Sequence, residues 1–311
     1  MAEIVAAMAS SHAYTFYTPA QWDERRERSR SRYARKYGAD PPVLPQLQQE
    51  TLPGNVERFR PLGDGLQKFK GLFESLRPDS LILIGDDQNE NFTEYVPQFS
   101  IFVGDHLVSA DNESGNTVEI RCDAELARAL VEHSVEAGFD VAFSKSFPND
   151  RLLSHAHAQV LNWFRPDVPV VLIFVNSICP PAPSPARCYE FGKALRQAVD
   201  AFSGRRRVVA YGSGGLSHFS AGYPYEDYGG PLRMGAICED FDKQALDWIR
   251  SGRAEQLKTL TSKQLIDNGA IEYRQWITLM GLLDQRKPDW LEYGAFYRGI
   301  MGMGVAYWQL N

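Results

Sequence analysis

The chain has 311 residues, with 33 Lys+Arg against 39 Asp+Glu and a formal net charge of −6. At 44% hydrophobic and 23% charged it is ordinary globular material, long enough to bury a sizeable core. The mild acidity argues against a nucleic-acid binder, and the longest apolar stretch, around Val168–Val175, falls far short of the ~20 residues that span a bilayer.

Residues Glu3–Ala9 read as a buried strand that runs into Ser10-Ser11-His12-Ala13-Tyr14. The start, Met1-Ala2-Glu3-Ile4-Val5, lacks the basic region of a signal peptide. Pro19–Tyr37 is dense in charge and predicts an exposed helix, followed by a Pro-rich joint at Pro41, Pro42 and Pro45. Apolar residues at helical spacing from Phe59 to Leu76 predict a helix over Val56–Leu76, weakened at its start by Pro61, Gly63 and Gly65. Ser80–Ile84 is a continuous apolar strand, and the polar string Gly85-Asp86-Asp87-Gln88-Asn89-Glu90-Asn91-Phe92 follows at once. Such a position, past the carboxyl end of a buried strand, is where open α/β sheets bind ligands.

Phe99–Val103 predicts another strand, Asp105–Thr117 an irregular loop, Asp123–Ala137 a helix and Phe139–Ser144 a strand. The alternation continues through a strand at Val168–Asn176, a helix at Pro185–Phe202 and a strand at Arg207–Tyr211. Gly212-Ser213-Gly214-Gly215-Leu216-Ser217-His218 comes next, then helices at Glu239–Ser251, Ser262–Ile266 and Ile271–Leu283, and an aromatic strand over Gly302–Trp308. The expected fold is α/β: a mostly parallel central sheet flanked by helices, with a helical C-terminal cap on the same core. No repeat or linker divides the chain, so residues 1–311 read as one domain.

His12, the Asp86–Glu90 cluster, His218, Glu239, and the pair His155 and His157 all lie at element boundaries. Taken singly, each has a plain explanation. A histidine at a strand end is usually a hydrogen-bonded structural residue, Glu239 could simply complement a helix dipole, and a His-x-His pair usually packs or faces solvent. The Gly-rich turn lacks the Gly-Lys-Ser/Thr of a P-loop and the frame of a nucleophile elbow. Together, imidazole and carboxylate with open positions left over form the ligand type of non-heme Fe(II) oxygenases, and a further histidine beside them suits acid/base work. The four cysteines, Cys122, Cys179, Cys188 and Cys238, form no CxxC pair and read as reduced thiols of a cytoplasmic protein.

These motifs, in this order, resemble the class III extradiol ring-cleavage dioxygenases, the superfamily of the protocatechuate 4,5-dioxygenase beta subunit. Ser10-Ser11-His12 resembles the motif whose histidine binds iron, Gly214-Gly215-Leu216-Ser217-His218 the motif whose histidine is the acid/base, and Glu239-Asp240-Phe241-Asp242 the segment that supplies the iron-binding carboxylate. Better-known members carry Asn-Asp-His where this chain has Asp86-Asp87-Gln88, so Gln88 stands at the second histidine ligand's place. Either Gln88 ligates through its amide oxygen, or a neighbour among Asp86, Asp87, Asn89 and Glu90 replaces it, or the reaction differs.

The resemblance implies an Fe(II)-dependent dioxygenase that binds a catechol-like aromatic and O2 and cleaves the ring beside the diol. His12, Gln88 and Glu239 would be the metal ligands, His218 and His157 the catalytic histidines, and His155 and Tyr14 substrate-side residues. Alternatives are a non-catechol aromatic substrate at an altered metal site, or a non-catalytic partner subunit. A homodimer is expected, with neither nucleic-acid nor membrane partners, and residues 19–52 read as an inserted helix and loop region near the pocket.

Overall fold

A computed structural model describes residues 1–110, 117–147, 153–220 and 234–310. Ten strands are described: β1 (Ala2–Ser10), β2 (Ser80–Gly85), β3 (Phe99–Phe102), β4 (His106–Ala110), β5 (Thr117–Arg121), β6 (Ala142–Ser144), β7 (Val170–Val175), β8 (Arg206–Ser213), β9 (Trp290–Phe296) and β10 (Met301–Gln309). Eight form one sheet in the order β6-β3-β7-β2-β8-β1-β10-β9. The central run β7-β2-β8-β1 is parallel, while β10 lies antiparallel to β1 and β9 antiparallel to β10. Central strands buried on both faces explain the continuous apolar runs of β2 and β7, Leu81–Ile84 and Val170–Val175.

The helices are α1 (Trp22–Tyr37), α2 (Pro45–Gln49), α3 (Leu52–Leu76), α4 (Ala124–Glu136), α5 (His155–Phe164), α6 (Pro185–Ala201), α7 (Glu239–Arg250), α8 (Ser262–Asp267) and α9 (Tyr273–Leu283). One side of the sheet buries Leu62, Leu66, Phe69 and Phe73 of α3 with Val160, Leu161 and Phe164 of α5. The other buries the inner stripes of α4, α6 and α9. The result is the mostly parallel α/β sheet between helical layers that the sequence predicts, and both termini of the chain add strands to it.

Several expectations need correction. The segment Asp105–Thr117 is not simply irregular: β4 and β5 pair as an antiparallel ribbon, with the intervening 111–116 outside the described residues. Helix α3 starts four residues early and passes through Pro61, because the Thr51 hydroxyl caps the Gly54 amide and the apolar stripe from Leu62 onward is buried against the sheet. Helix α5 and strand β9 carry no clear signal in the sequence. β9 is short in apolar alternation but is held by β10 through seven register pairs.

Two helices are brought unusually close. A side chain on Gly192 of α6 would strike the Thr278 carbonyl of α9, and one on Gly281 of α9 would strike the Tyr189 carbonyl of α6. This glycine crossing seats α9, all of whose residues are buried, flat against the core. It also fixes where the start of α9 lies. Among the described residues, no helix is long and apolar enough to cross a membrane.

Candidate metal centre

Three neighbouring parallel strands, β2, β8 and β1, end side by side, and the loops leaving their carboxyl ends carry the candidate chemistry. His12 follows β1, Asp86 follows β2, and Gly214-Gly215 follow β8. Ser10 O accepts from the Gly214 amide at 3.1 Å, and Ser11 N donates to Gly304 O at 2.9 Å, so these loops are stitched to one another. Trp276 of α9 donates its indole N–H to Gly214 O at 3.0 Å, which ties the Gly-rich turn to that helix.

The residue preceding α9 is Glu272, wholly buried. Its Oε2 accepts the Gly215 amide at 3.0 Å and lies 3.3 Å from His12 Nε2; its Oε1 accepts the Gln88 side-chain amide at 2.5 Å and lies 3.5 Å from His218 Nε2. Among the described residues, His12, Asp86 and Glu272 form a group whose potential ligand atoms all lie within 4.8 Å of one another. Gly215 is glycine because a side chain there would meet the His218 ring and the Glu272 carboxylate.

The donors fit a divalent cation. Both oxygens of Asp86 are buried and have no hydrogen-bond partner among the described residues. Burial first, then the Glu272 carboxylate, pushes the Asp86 acid well above its ordinary range. An ionised carboxylate left so would cost several kcal/mol, which a bound cation removes. Burial lowers His12 to about 4, against the opposing pull of Glu272, so its imidazole is neutral at pH 7 as a ligand must be.

His218 is buried with its Nδ1 donating to Leu216 O at 2.8 Å, which aims Nε2 at Glu272. Burial pulls its basicity down, but Glu272 outweighs this and the net shift is upward. The loop before it is braced by Asp242, which accepts from the Ser217 amide at 2.8 Å, the Ser217 hydroxyl at 2.7 Å and the Tyr293 hydroxyl at 2.9 Å.

Glu239 is not among the gathered side chains. It is the first residue of α7, its carboxylate is 34% exposed, and it accepts from Lys243 Nζ at 2.9 Å and Tyr297 OH at 3.1 Å. The carboxylate beside His12 is Glu272. The Glu239–Asp242 segment serves the site through Asp242 instead. Gln88 is adjacent but turns its amide N–H to Glu272, and Asp86 supplies the free oxygens of that loop.

The two histidines of α5 separate sharply. His155 packs edge-on against His12 at 5.0 Å between ring centres and pairs with Glu90 at 3.0 Å. Burial lowers it, yet Glu90, Asp86 and Glu272 more than compensate and raise it to about 9. His157 is fully buried beneath Gly85, with Nε2 on Ile173 O at 3.0 Å and Nδ1 on Ser154 Oγ at 2.7 Å; both nitrogens are occupied by the scaffold, which leaves it no access to a substrate. Tyr14 is likewise turned away, its hydroxyl 3.2 Å from Ser29 Oγ of α1. Glu272 escaped the sequence reading because it sat inside a predicted helix. The available signal was the following run, Tyr273–Leu283, apolar enough around the helix to bury whatever begins it.

The family described as the catalytic LigB subunit of aromatic ring-opening dioxygenase matches residues 44–307. The chain belongs to that family, which is metal-dependent. A relative from Comamonas testosteroni, named 2,3-dihydroxyphenylpropionate/2,3-dihydroxicinnamic acid 1,2-dioxygenase, is 32% identical over 152 residues, covering 45% of this chain and 43% of its own. A Rhodococcus protein of the same name is 30% identical over 271 residues, covering 73% and 84%. The first of these matches therefore spans less than half of the relative's length. The crystal structure of an uncharacterized protein from Escherichia coli K12 shares the fold at a TM-score of 0.50 and 17% identity, over 78% of this chain and 91% of that one.

Proposed function

We propose that this chain is a non-heme Fe(II) dioxygenase that opens a catechol-like ring beside its two hydroxyls, with His12, Asp86 and Glu272 as the protein ligands. The observation that carries the reading is the convergence of these three buried side chains with both Asp86 oxygens unpartnered. Imidazole and carboxylate suit a ferrous ion, and three protein ligands leave coordination positions open. Iron held there would supply a chelation point for vicinal hydroxyls, lower their pKa and bind O2.

The remaining work falls to protein side chains. His218 is the acid/base: with Nδ1–H tied to Leu216 O, its Nε2 takes a substrate hydroxyl proton and later returns it to the departing oxygen. His155, held protonated by Glu90, sets a positive charge beside the site for an anionic substrate oxygen. Gln88 and the Gly215 amide fix the two Glu272 oxygens so that their remaining lone pairs face inward. His12, His155 and His218 lie together, whereas Tyr14 and His157 belong to the scaffold.

One observation favours a second reading. Asp86 in place of an imidazole would set two carboxylates around a bound ion and lessen its pull on a substrate hydroxyl, which favours an aminophenol or other electron-rich aromatic as substrate. In this reading residues 1–311 act as one catalytic domain, with residues 19–52 near the site, in a cytoplasmic homodimer. To test the reading, the purified protein is loaded with Fe(II) without oxygen and given O2 with a panel of catechols and aminophenols. Oxygen uptake with a new ring-fission absorbance is expected for a catechol; uptake with aminophenols alone selects the second reading, and no uptake with any of them refutes both.

A further inference from the structure

We infer that Ser213 is a positioning residue for the metal centre, holding His12 as the tautomer protonated on Nδ1 so that the Nε2 lone pair is free to ligate. The inference rests on the reading of His12 as a ligand. Ser213 ends β8, is wholly buried, and pairs across the sheet with Ser10, two residues before His12. Its Oγ lies 2.6 Å from Ala156 O and 3.4 Å from His12 Nδ1.

A hydroxyl has one proton, and a carbonyl oxygen can only accept. The short contact to Ala156 O therefore takes the Ser213 proton. Only lone pairs remain on Oγ toward His12, so Nδ1 must carry the hydrogen between them. That assignment puts the Nε2 lone pair 3.3 Å from Glu272 Oε2. Two acceptors facing each other in a dry site repel, and a cation between them reverses the sign. The opposite tautomer would place a proton on Nε2, satisfy Glu272 directly and block the ligating atom.

Ser213 also links two elements of the site. Ala156 lies in α5 between His155 and His157, so one hydroxyl sets the spacing of α5 against the His12 loop. No sequence motif signalled this: Ser213 reads as part of a Gly-rich turn, and its partners come from 201 and 57 residues away.

The test uses full-length, metal-free protein labelled with 15N-histidine, with His12 assigned by its loss in His12→Gln. Nitrogen shifts report the tautomer, and anaerobic chelator competition reports the Kd for Fe(II). The wild-type protein is expected to show Nδ1–H at His12. Ser213→Ala should lose that preference and bind Fe(II) about 10–100-fold more weakly with its circular dichroism unchanged. Ser213→Thr, which restores a hydroxyl, should recover both. If Ser213→Ala does not fold, Ser213→Cys, which keeps the volume but offers a weak acceptor, is judged by the same two readings. An Nε2–H tautomer in the wild type, or a Kd within twofold of wild type in the hydroxyl-free variant, overturns the inference. Undiminished Fe(II) affinity in His12→Gln overturns the ligand reading on which it rests.

Discussion

Two glutamates stand at the starts of two helices in the last third of the chain, and they have opposite fates. Glu239 opens α7, whose outer face is solvated, and its carboxylate is held by Lys243 and Tyr297 at the surface. Glu272 precedes α9, which the Gly192–Gly281 crossing seats against the sheet, and its carboxylate is fully buried among His12, His218, Gln88 and Gly215. Glu239 is the first residue of its helix and Glu272 the cap residue before its own, and at either place a carboxylate would complement a helix dipole. What distinguishes them is how far the helix behind each is buried. A carboxylate becomes a ligand when packing denies it water, and that is a property of the following eleven residues rather than of the glutamate.

The sharpest way to break this contrast is to remove each carboxylate in turn. Glu272→Ala should weaken Fe(II) binding by more than the ~10–100-fold typical of residues behind the ligands, and abolish oxygen uptake. Glu239→Ala should leave both within twofold of the native values. Chelator competition and an oxygen electrode read the two outcomes, and equal losses would erase the distinction.

Asp86 sharpens the contrast in another currency. Asp86→Ala should also cost at least ~100-fold in metal affinity, yet stabilise the metal-free protein by about 1–3 kcal/mol, because a buried acid without hydrogen-bond partners is removed. Urea melts with and without metal measure both. A metal-free variant less stable than the native chain would mean that Asp86 has partners in solution.

His157 tests the scaffold side. Its folded pKa is lowered from 6.5 to about 4, chiefly by burial, so the unfolded chain binds its proton first as pH falls. Stability from this group is complete above pH 6.5 and is lost between there and pH 4, amounting to about 3 kcal/mol at ~1.4 kcal/mol per unit. His157→Phe should remove its share of that slope, which the metal-free protein also owes to His12, while Fe(II) affinity stays within twofold. Loss of metal with retained stability would move His157 into the site.

The smallest expected effect belongs to the surface pair. Lys243→Ala should change stability by no more than ~0.5 kcal/mol, since an exposed ion pair is screened by solvent. A larger loss in thermal melts would show that the α7 start is structurally committed after all.

Much of the fold was legible because its signals are local. The apolar runs of β2 and β7 and the capped α4, with Asp123 accepting the Leu126 amide, follow from adjacent residues. β9 and the β4–β5 ribbon were not, since their stability comes from partners across the sheet rather than from their own patterning. In the site, His12 and His218 stood out beside small residues at strand ends. Family resemblance points to Gln88, whereas Asp86, two residues earlier, is the side chain without a hydrogen-bond partner among the described residues. Which residue of a polar string faces inward depends on how the loop turns. Here Asp87 accepts the Asn91 and Phe92 amides and Glu90 holds His155, leaving Asp86 to point at Glu272 and His12.

The most direct measurement is a crystal structure of the protein loaded anaerobically with Fe(II). His12 Nε2, an Asp86 oxygen and a Glu272 oxygen should sit about 2.0–2.2 Å from one ion, the span these donors show to a divalent ion such as zinc, with the Gln88 amide nitrogen still on Glu272. An ion bound by the Gln88 oxygen or by Glu239, with Asp86 turned aside, would contradict the account.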